Sequence, residues 1–374
     1  MTRKKPNRKK SLATRAILWL NLVFVVPFLV SYISPVVHPE ITVVPALASL
    51  FYPILLIINF AFLLFWIFRF RMYFLISLVA ILGGYNLFFK TFAFNRDKPV
   101  GDPGEALKLV SYNVRLFDQY KWTGGQNYFT RNSVFEFASN QEAGVVCFQE
   151  FFHGTDQTFP TIEPFIEKSG IRNYHVDYVL VKGDDEKHYG LATFTRFPIV
   201  NKGSIHFDGS SANSGIYTDI LFNEDTIRIF NFHLESVKLS QADHRFVSEF
   251  IDPGTAPKSS SPGVIIKKLS NAIKRRAKQA DKVAGIISES PHPVIVCGDF
   301  NDTPLSYVYR KISKDLKDAF IEIGRGVGET YAGGIPFLRI DYILHSEALE
   351  AFDFEKHPVT LSDHYPITCY FKLK

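Results

Sequence analysis

The first 96 residues of this chain contain almost no acid. They hold eleven lysines and arginines against one acidic residue, Glu40, whereas residues 97–374 hold 31 basic and 36 acidic residues. The net charge of +5 therefore reflects the N-terminal part, and the longer C-terminal part is acidic. An acidic region lacks the long-range attraction to polyanions that basic proteins have. The imbalance predicts two regions in different environments.

Cysteine is scarce as well, and its spacing argues against a zinc site. Cys147, Cys297 and Cys369 each lie in or beside an apolar, strand-like run, and no CxxC or Cys/His spacing occurs. Unpaired cysteine behaves as a small apolar side chain and is commonly buried. We therefore expect three buried, free thiols.

Charged residues are missing from three long apolar stretches near the N-terminus. The stretches are Ala16–Val37, Ile41–Phe68 and Met72–Phe89. A helix needs about 20 apolar residues to cross a bilayer. We therefore predict a membrane anchor over residues 1–96, with three transmembrane helices over about 16–37, 41–68 and 72–94. A cleavable signal peptide is the alternative for the first stretch, although two spans would then remain.

Basic residues set the expected orientation of this anchor. Those before the first stretch are Arg3, Lys4, Lys5, Arg8, Lys9, Lys10 and Arg15. Arg69 and Arg71 separate the second and third stretches, while the connection between the first and second holds only His38 and Glu40. The positive-inside rule therefore puts the N-terminus in the cytoplasm, and three crossings put everything after residue 96 outside it. A basic tail that binds nucleic acid is the alternative for the N-terminus.

A polar linker with proline and glycine, residues 97–104, precedes a region of alternating strand-like and helix-like segments. Lys267–Ile287 has helical spacing, whereas Ile251–Gly263 is predicted to be a loop inserted over one face. This alternation predicts a layered α/β domain over residues 105–374. The polar side chains that flank its apolar runs are Asn113, Glu150, His233, Asp299, Asn301, Asp341, Asp363 and His364.

Each of these polar residues alone fits a turn, a helix cap or an ordinary salt bridge. Together they comprise two amides, four carboxylates and two histidines, nearly all at strand ends. Oxygen ligands of this kind suit Mg²⁺, Mn²⁺ or Ca²⁺, and histidines transfer protons or contact anions. Such a set around one pocket indicates hydrolysis of a phosphate ester.

The motifs that contain these residues occur in the order SYN, QE, NFHLES, GDFNDTP, RIDYIL and SDHYP. In this order they resemble the endonuclease/exonuclease/phosphatase superfamily, and the resemblance covers about residues 105–374. It implies a four-layer sandwich of two β-sheets between helices, with the site at one end, and a hydrolase that depends on Mg²⁺ or Mn²⁺. It does not extend to the membrane segment. We expect an integral protein of a bacterial inner membrane with a periplasmic catalytic domain.

The resemblance also implies roles for the metal-binding and water-activating residues. Glu150 would be the chief metal ligand, with Asn113 and Asp363 close to the metal. Asp299 and Asn301 would position or deprotonate the attacking water.

The histidines receive their roles in the same way. His364 would be held by Asp341 and act as general base or phosphate contact. His233 would contact phosphate or protonate the leaving group. The sequence departs from some family members at Arg115, where those members have an acid, so Arg115 is a candidate phosphate contact and the nuclease branches that use that acid fit less well.

The anchor and the acidic domain favour a membrane-tethered phosphodiesterase acting on a lipid headgroup or another small phosphodiester. One alternative is an extracytoplasmic nuclease acting on DNA or RNA, and another is a catalytically inactive binding module. A basic cluster on the predicted helix would serve the nuclease or form an ordinary solvated face; it comprises Lys267, Lys268, Lys274, Arg275, Arg276 and Lys278. Ile323–Pro336 is glycine-rich and is predicted to be a mobile rim loop or a plain surface loop. The expected partners are the bilayer and the phosphate ester, and no protein partner is inferred.

Overall fold

A computed structural model describes most of the chain. The described ranges are 12–96, 98–120, 128–154, 159–182, 187–207, 213–237, 262–333 and 335–374. Of the basic residues predicted to orient the first span, only Arg15 lies within these ranges. Residues 251–261 of the predicted inserted loop also lie outside the described residues.

Helices make up the N-terminal segment. They are α1 (Leu12–Ser31), α2 (Val44–Leu50), α3 (Tyr52–Phe68), α4 (Phe74–Gly83) and α5 (Tyr85–Thr91). Helix α1 is long and apolar enough to cross a membrane, whereas α2–α3 and α4–α5 are pairs bent by 72° and 63°. The described residues therefore offer one span, or up to three if each bent pair is one span. The second and third apolar stretches thus form bent pairs rather than single helices.

Both bends have a local cause. Helix α3 carries Pro53 in its first turn, and proline lacks the N–H that would continue the hydrogen bonds of α2. Gly84 separates α4 from α5, and a Cβ at this position would lie 2.5 Å from the ring of Tyr32. The Tyr32 hydroxyl donates to the carbonyl of Ala80 at 2.7 Å, which satisfies a backbone group near the break.

The remaining elements follow β1 (Ala93–Phe94). The strands are β2 (Leu107–Asn113), β3 (Val145–Gly154), β4 (Asn173–Lys182), β5 (Lys187–Thr195), β6 (Ile199–His206), β7 (Ser214–Phe222), β8 (Asp225–His233), β9 (Val294–Asp299), β10 (Lys317–Asp318), β11 (Arg325–Gly326), β12 (Asp341–His345), β13 (Leu349–Lys356) and β14 (Ile367–Leu373). The helices are α6 (Phe129–Asn140), α7 (Ile162–Ser169), α8 (Pro262–Ser288), α9 (Tyr307–Ile312) and α10 (Ala319–Ile323).

Two six-stranded sheets form the centre of this region. One has the order β10-β12-β9-β8-β7-β6 and the other the order β13-β14-β2-β3-β5-β4. Each sheet has one parallel pair, β8 with β9 and β2 with β3, and its other pairs are antiparallel. The carboxyl ends of the two parallel strands therefore lie at the same end of each sheet.

The sheets pack face to face between two layers of helices. Leu109 and Cys147 of one sheet contact a common apolar cluster with Ile229 and Cys297 of the other. Helices α6 and α7 cover the outer face of the β2–β3 sheet, and α8 and α9 cover the outer face of the β8–β9 sheet. This arrangement confirms the predicted α/β sandwich. The helix predicted at Lys267–Ile287 lies within α8, and all three cysteines are buried and free.

The N-terminal segment rests on the sandwich. Strand β1 pairs with β11, and Glu40 Oε1 of the α1–α2 connection lies 2.7 Å from Lys278 Nζ of α8. Lys98, within the predicted linker, pairs with Glu350 of β13 at 2.8 Å. The connection between the two regions is therefore attached to the sandwich along part of its length.

Candidate active site

Side chains on the facing sides of the two sheets meet at one end of the sandwich. Ile229 and Cys297 point between the sheets, and strand alternation carries His233 and Asp299 to the same side. The strand register pairs His233 with Asp299, and Asp299 with Asp341 at the start of antiparallel strand β12. Three polar residues from three adjacent strands are therefore neighbours.

Glu150 reaches the same site through a β-bulge. Simple alternation would put Glu150 on the helix-covered side of β3, where Phe148 lies. The register instead shifts between Phe148 and Phe151, and Glu150 adopts φ 50°. A bulge of this kind re-aims one side chain, and it brings Glu150 to the amide of Asn113 at the end of β2.

The end of β9 depends on a glycine. Gly298 has φ 130°, and a Cβ there would lie 2.0 Å from the carbonyl oxygen of Phe232 on the neighbouring strand. Only glycine allows this close approach. The backbone then presents Asp299 and, with φ 53°, Asn301 to the site.

Asp299 is the most heavily bonded carboxylate of the site. Its Oδ2 accepts hydrogen bonds of 3.0 Å from the side-chain amides of both Asn113 and Asn301, and its Oδ1 accepts one of 2.8 Å from the Asn301 N–H. The side chain is 1% exposed. Burial, together with the charge of Asp341, raises the pKa of Asp299 to about 6.

Glu150 lies beside Asp299 but keeps an opening to solvent. Its Oε1 accepts a 3.3 Å hydrogen bond from Asn113 Nδ2 and lies 3.5 Å from His233 Nε2. Its side chain is 28% exposed. Desolvation and the nearby charge of Asp363 raise the pKa of Glu150. Asn113 thus bridges two carboxylates that would otherwise repel each other.

His364 forms a buried pair with Asp341. Nδ1 of His364 lies 2.8 Å from Asp341 Oδ2, and Nε2 lies 3.7 Å from Asp299 Oδ2. Burial lowers the pKa of His364, but the carboxylates of Asp341 and Asp299 outweigh it and raise the pKa well above its ordinary value. The hydroxyl of Thr330 accepts hydrogen bonds from the Asp341 and Ile340 N–H groups, which fixes the start of β12.

His233 has the opposite character. Its Nδ1 lies 3.4 Å from the Asn213 side-chain amide, while Nε2 is buried and has no hydrogen-bond partner among the described residues. Burial lowers the pKa of His233. A buried nitrogen without a partner is costly unless a ligand satisfies it, and Nε2 faces Glu150 and Asp299 at 3.5 and 3.7 Å.

Asp363 lies at the more exposed side of the site. Its Oδ2 is 3.4 Å from Arg115 Nε, and both side chains are about one-third exposed. The Arg115 N–H donates to Asn113 Oδ1 at 3.0 Å, which orients the Asn113 amide toward the carboxylates. All eight residues predicted from the sequence therefore lie around one site.

The donors fit a hard divalent cation. The donor atoms of Asp299, Asp341 and His364 lie within 4.8 Å of one another. This trio differs from the predicted ligands Asn113, Glu150 and Asp363, and the Asp341 carboxylate in it is already bonded to His364. The carboxylates of Glu150 and Asp299 face one space, where the Asn113 amide bridges them, and their oxygen atoms suit a hard divalent cation.

A buried polar network beneath the site was not foreseen from the sequence. Gln149 Nε2 donates to Asn231 Oδ1 at 2.8 Å and to Ser111 Oγ at 3.2 Å, joining the two sheets. Ser111 and Asn231 each lie two residues before a site residue, so strand alternation places them directly below it. That spacing is the signal in the sequence that would have revealed them.

The glycine-rich stretch 323–336 borders the site. Its Ala332 N–H donates to the carbonyl of Asp363 at 2.7 Å, and the ring of Tyr331 stands edge-on to that of His364 with centroids 5.6 Å apart. Gly334 lies outside the described residues. The predicted place at the pocket rim is therefore confirmed for residues 330–332, and the predicted mobility stays a prediction.

Comparison with known proteins identifies the sandwich. The sequence profile of the Endonuclease/Exonuclease/phosphatase family matches residues 110–364. The chain belongs to this family. A second profile, described as a domain of unknown function, matches residues 14–91. No curated protein matches the chain.

Solved structures of endonuclease/exonuclease/phosphatase proteins share the fold. The human Nocturnin catalytic domain is 18% identical with a TM-score of 0.52, covering 75% of this chain and 97% of that chain. A family member from Bacteroides vulgatus is 16% identical with a TM-score of 0.51, covering 72% and 99%. Humanized D. rerio TDP2 is 16% identical with a TM-score of 0.50, covering 72% and 99%. Identities this low establish the fold and leave the substrate open.

Proposed function

We propose that the chain is a membrane-anchored, divalent-metal-dependent phosphodiesterase that hydrolyses a lipid headgroup or another small phosphodiester. The family to which the chain belongs consists typically of metal-dependent hydrolases. The observation that carries the proposal is the convergence of Glu150, Asp299 and two histidines of opposite protonation tendency on one space.

Mg²⁺ or Mn²⁺ is the ion that we expect in this site. Glu150 would be its chief ligand, with Asn113 and Asp363 close to it. A divalent cation held there supplies positive charge to a non-bridging phosphate oxygen. The bridging amide of Asn113 supports this role, because it holds the Glu150 and Asp299 carboxylates together before any ion is bound.

Asp299 is suited to take a proton from the attacking water. Its pKa of about 6 lies near the pH range in which a general base is most effective. Asn301 donates to both oxygens of this carboxylate and so fixes its orientation. A fixed carboxylate restricts the water to one direction of approach, as in-line attack on phosphorus requires.

The two histidines are suited to complementary roles. The raised pKa of His364 favours an imidazolium whose Nε2–H contacts a phosphate oxygen, with Nδ1–H held by Asp341. His233 stays neutral because burial lowers its pKa. The Asn213 amide donates toward Nδ1 of His233, which leaves the proton on Nε2. From there it can donate to the phosphate or to the departing oxygen.

The anchor would cross the membrane three times, with each bent pair forming one span. Its support is that the α1–α2 connection, through Glu40, and the end of α5, through β1, contact the same sandwich. The α1–α2 connection and β1 lie on the same side of the membrane only if the chain between them crosses it an even number of times. The Arg69–Arg71 loop would then be cytoplasmic and the sandwich extracytoplasmic, in the periplasm of a bacterium.

Reporter fusions test this topology. A periplasm-active reporter placed after residue 96 is expected to be active, and the same reporter in the Arg69–Arg71 loop is expected to be silent. A reporter active only in the cytoplasm after residue 96 would overturn the three-span anchor.

A lipid headgroup is favoured over nucleic acid by the surroundings of the site. Leu305, four residues after Asn301, is 1% exposed and belongs to the apolar cluster formed by helices of the N-terminal segment. The loop that leaves the site therefore packs into the segment that we expect in the bilayer. A substrate held in the same bilayer would lie within reach.

The basic cluster on α8 gives the nuclease little support. Arg276 is buried and pairs with Asp302 at 3.2 Å, Arg275 pairs with Glu235 at 3.0 Å, and Lys278 pairs with Glu40. Nonspecific nucleic-acid binding rests on cations that are free to contact phosphates. These three cations already neutralise acids of the protein itself.

One experiment separates the candidate functions. Full-length protein in detergent is incubated with phosphatidylcholine and sphingomyelin vesicles, or with linear DNA and RNA, in Mg²⁺ or in EDTA, with Asp299→Ala as the blank. Metal-dependent headgroup release without nucleic-acid cleavage is expected. Cleavage of nucleic acid alone would make the protein a nuclease, and the absence of both hydrolysis and metal binding would make it a binding module.

A further inference from the structure

Three chain segments at or next to the site are each attached to the N-terminal segment, two of them to its helices and the third to the residues that follow α5. The first is the loop after β9. Asn301 lies in the site, the next residue Asp302 is fixed by Arg276, and Leu305 is buried in the cluster with Val25 and Tyr52. Only three residues separate Asn301 from Leu305 in the chain.

The second attachment lies just before β12. Arg339 is 2% exposed, its Nη1 donates to Asp318 Oδ2 at 2.7 Å, and its Nη2 donates to the carbonyl of Lys90 at the end of α5 at 3.2 Å. Arg339 precedes Asp341 by two residues, and Asp341 holds His364. The position of this dyad is therefore linked to the end of the helical segment.

The third attachment precedes the rim of the pocket. The Asn95 side-chain amide donates to the carbonyls of Ile321 and Gly324 at 2.8 and 3.2 Å. Strand β11, which begins directly after Gly324, pairs with β1. The segment then continues to Thr330 and Tyr331, which contact Asp341 and His364.

From these contacts we infer that the N-terminal segment, residues 12–96, positions the catalytic loops, with Leu305 and Asn95 as positioning residues, in addition to anchoring the protein. The effect of this positioning on catalysis rests on the proposed function, whereas its effect on the order of the loops does not. A simple tether would need one covalent connection and no contact with the loops of the site. Here the N-terminal segment contacts the loop that carries Asn301, the residue two before Asp341, and the stretch that leads to the rim.

The test uses full-length protein in detergent and two readouts. The first is hydrogen–deuterium exchange of the segment 299–306, and the second is kcat for bis(p-nitrophenyl) phosphate with Mg²⁺, per folded molecule. Leu305→Ala is expected to raise exchange in this segment and to lower kcat about tenfold or more, since a 1 Å misplacement of catalytic groups costs about 100-fold. Leu305→Met, which conserves volume, is expected to keep both the exchange of this segment and kcat close to the wild-type values.

Two further variants keep the test decisive. Asn95→Ala alters a partly exposed side chain, so the protein should fold, and it is expected to lower kcat about threefold while leaving the affinity for the probe unchanged. Leu349→Ala removes an equally buried leucine of the inter-sheet core, at the start of β13, and is expected to lower Tm while kcat per folded molecule is retained.

The outcomes distinguish the inference from the proposed function. Unchanged exchange of residues 299–306 in Leu305→Ala would overturn the inference whatever the protein hydrolyses. Wild-type protein that protects this segment but hydrolyses no phosphodiester with Mg²⁺ would instead contradict the proposed function. Equal losses of kcat in Leu305→Ala and Leu349→Ala would reduce Leu305 to an ordinary core residue.

Discussion

The N-terminal helices and the sandwich distribute polar and apolar side chains in opposite ways. On α1, Trp19 and Val23 are 69% and 61% exposed, whereas Asn21 between them is fully buried. In the sandwich the apolar residues are inside, as in Ile229 and Phe148. Because a lipid bilayer is as apolar as leucine, helix packing there relies on polar and small side chains. The contrast supports the proposed anchor.

The two regions also use buried polar groups differently. In the helices, Asn21 Nδ2 donates to Ser77 Oγ at 3.0 Å, and Trp66 Nε1 donates to Asn21 Oδ1 at 3.1 Å, so one residue joins three helices. In the sandwich, His233 Nε2 lies beside two carboxylates and has no hydrogen-bond partner within the described ranges of the chain. A satisfied group stabilises packing, whereas an unsatisfied one invites a ligand. Substitution of Asn21 should therefore cost stability, whereas substitution of the polar residues around His233 should cost activity.

Asp299→Asn should have the largest effect on activity. The substitution keeps the side-chain shape but removes the proton acceptor and replaces one hydrogen-bond acceptor by an amide NH2, so we expect kcat per folded molecule to fall about 10²–10⁴-fold with Mg²⁺. The exposed Asp315→Asn is the matched control and should keep full activity. Turnover of Asp299→Asn close to wild type would remove Asp299 from the mechanism.

Glu150→Gln should act mainly on the metal. Loss of one carboxylate charge is expected to raise the Mg²⁺ concentration at half-maximal activity about tenfold to 100-fold. Mutation of residues that support a metal's ligands has effects of this size. Calorimetric titration with Mn²⁺ provides a readout that does not depend on turnover. Glu167→Gln, on the exposed face of α7, is the control. An unchanged metal affinity would assign the metal to other ligands.

Asp341→Asn should shift the pH profile. The Asp341 carboxylate raises the pKa of His364, so the imidazolium persists to higher pH in wild type than in the variant. If the charged ring contacts phosphate, the alkaline limb of the activity profile should move to lower pH in Asp341→Asn, with a loss of about tenfold at pH 8. Asp225→Asn, at the exposed start of β8, should leave the profile in place. A limb that does not move would show that His364 acts uncharged.

Asn21→Ala should show the smallest effect and confine it to stability. Interhelical hydrogen bonds in membranes contribute about 1 kcal/mol, so we expect a modest loss of thermal stability in detergent with kcat unchanged. Leu20→Ala alters the neighbouring exposed position on the same helix and should leave stability as it is. A larger loss of thermal stability in Leu20→Ala than in Asn21→Ala would contradict the assignment of Asn21 to the packed side of α1 and of Leu20 to its exposed side.

The sequence predicted the sandwich and the members of the site because both follow from local rules. Apolar runs that end in Asn113, His233 or Asp299 place those side chains on one face by simple alternation. The order of motifs supplied the rest through the family resemblance. The buried network of Ser111, Gln149 and Asn231 follows from the same rule and was overlooked.

Other features depend on contacts that a sequence does not display. The bulge that turns Glu150 into the site results from a register shift between β3 and β5, and register is a property of two strands. The bend before Pro53 had a visible signal, but the hydropathy of residues 41–68 is the same for a straight and a bent helix. The attachment of Leu305 to the helices joins residues more than 200 positions apart in the chain.

The most direct test of the account is the rate of bis(p-nitrophenyl) phosphate hydrolysis by the full-length protein as a function of Mg²⁺ concentration. We predict a rate that rises with Mg²⁺ and saturates, falls to the blank in EDTA and stays at the blank in Asp299→Ala. A rate that is independent of Mg²⁺, or equal in wild type and Asp299→Ala, would contradict the central claim that this site is a metal-dependent phosphodiesterase.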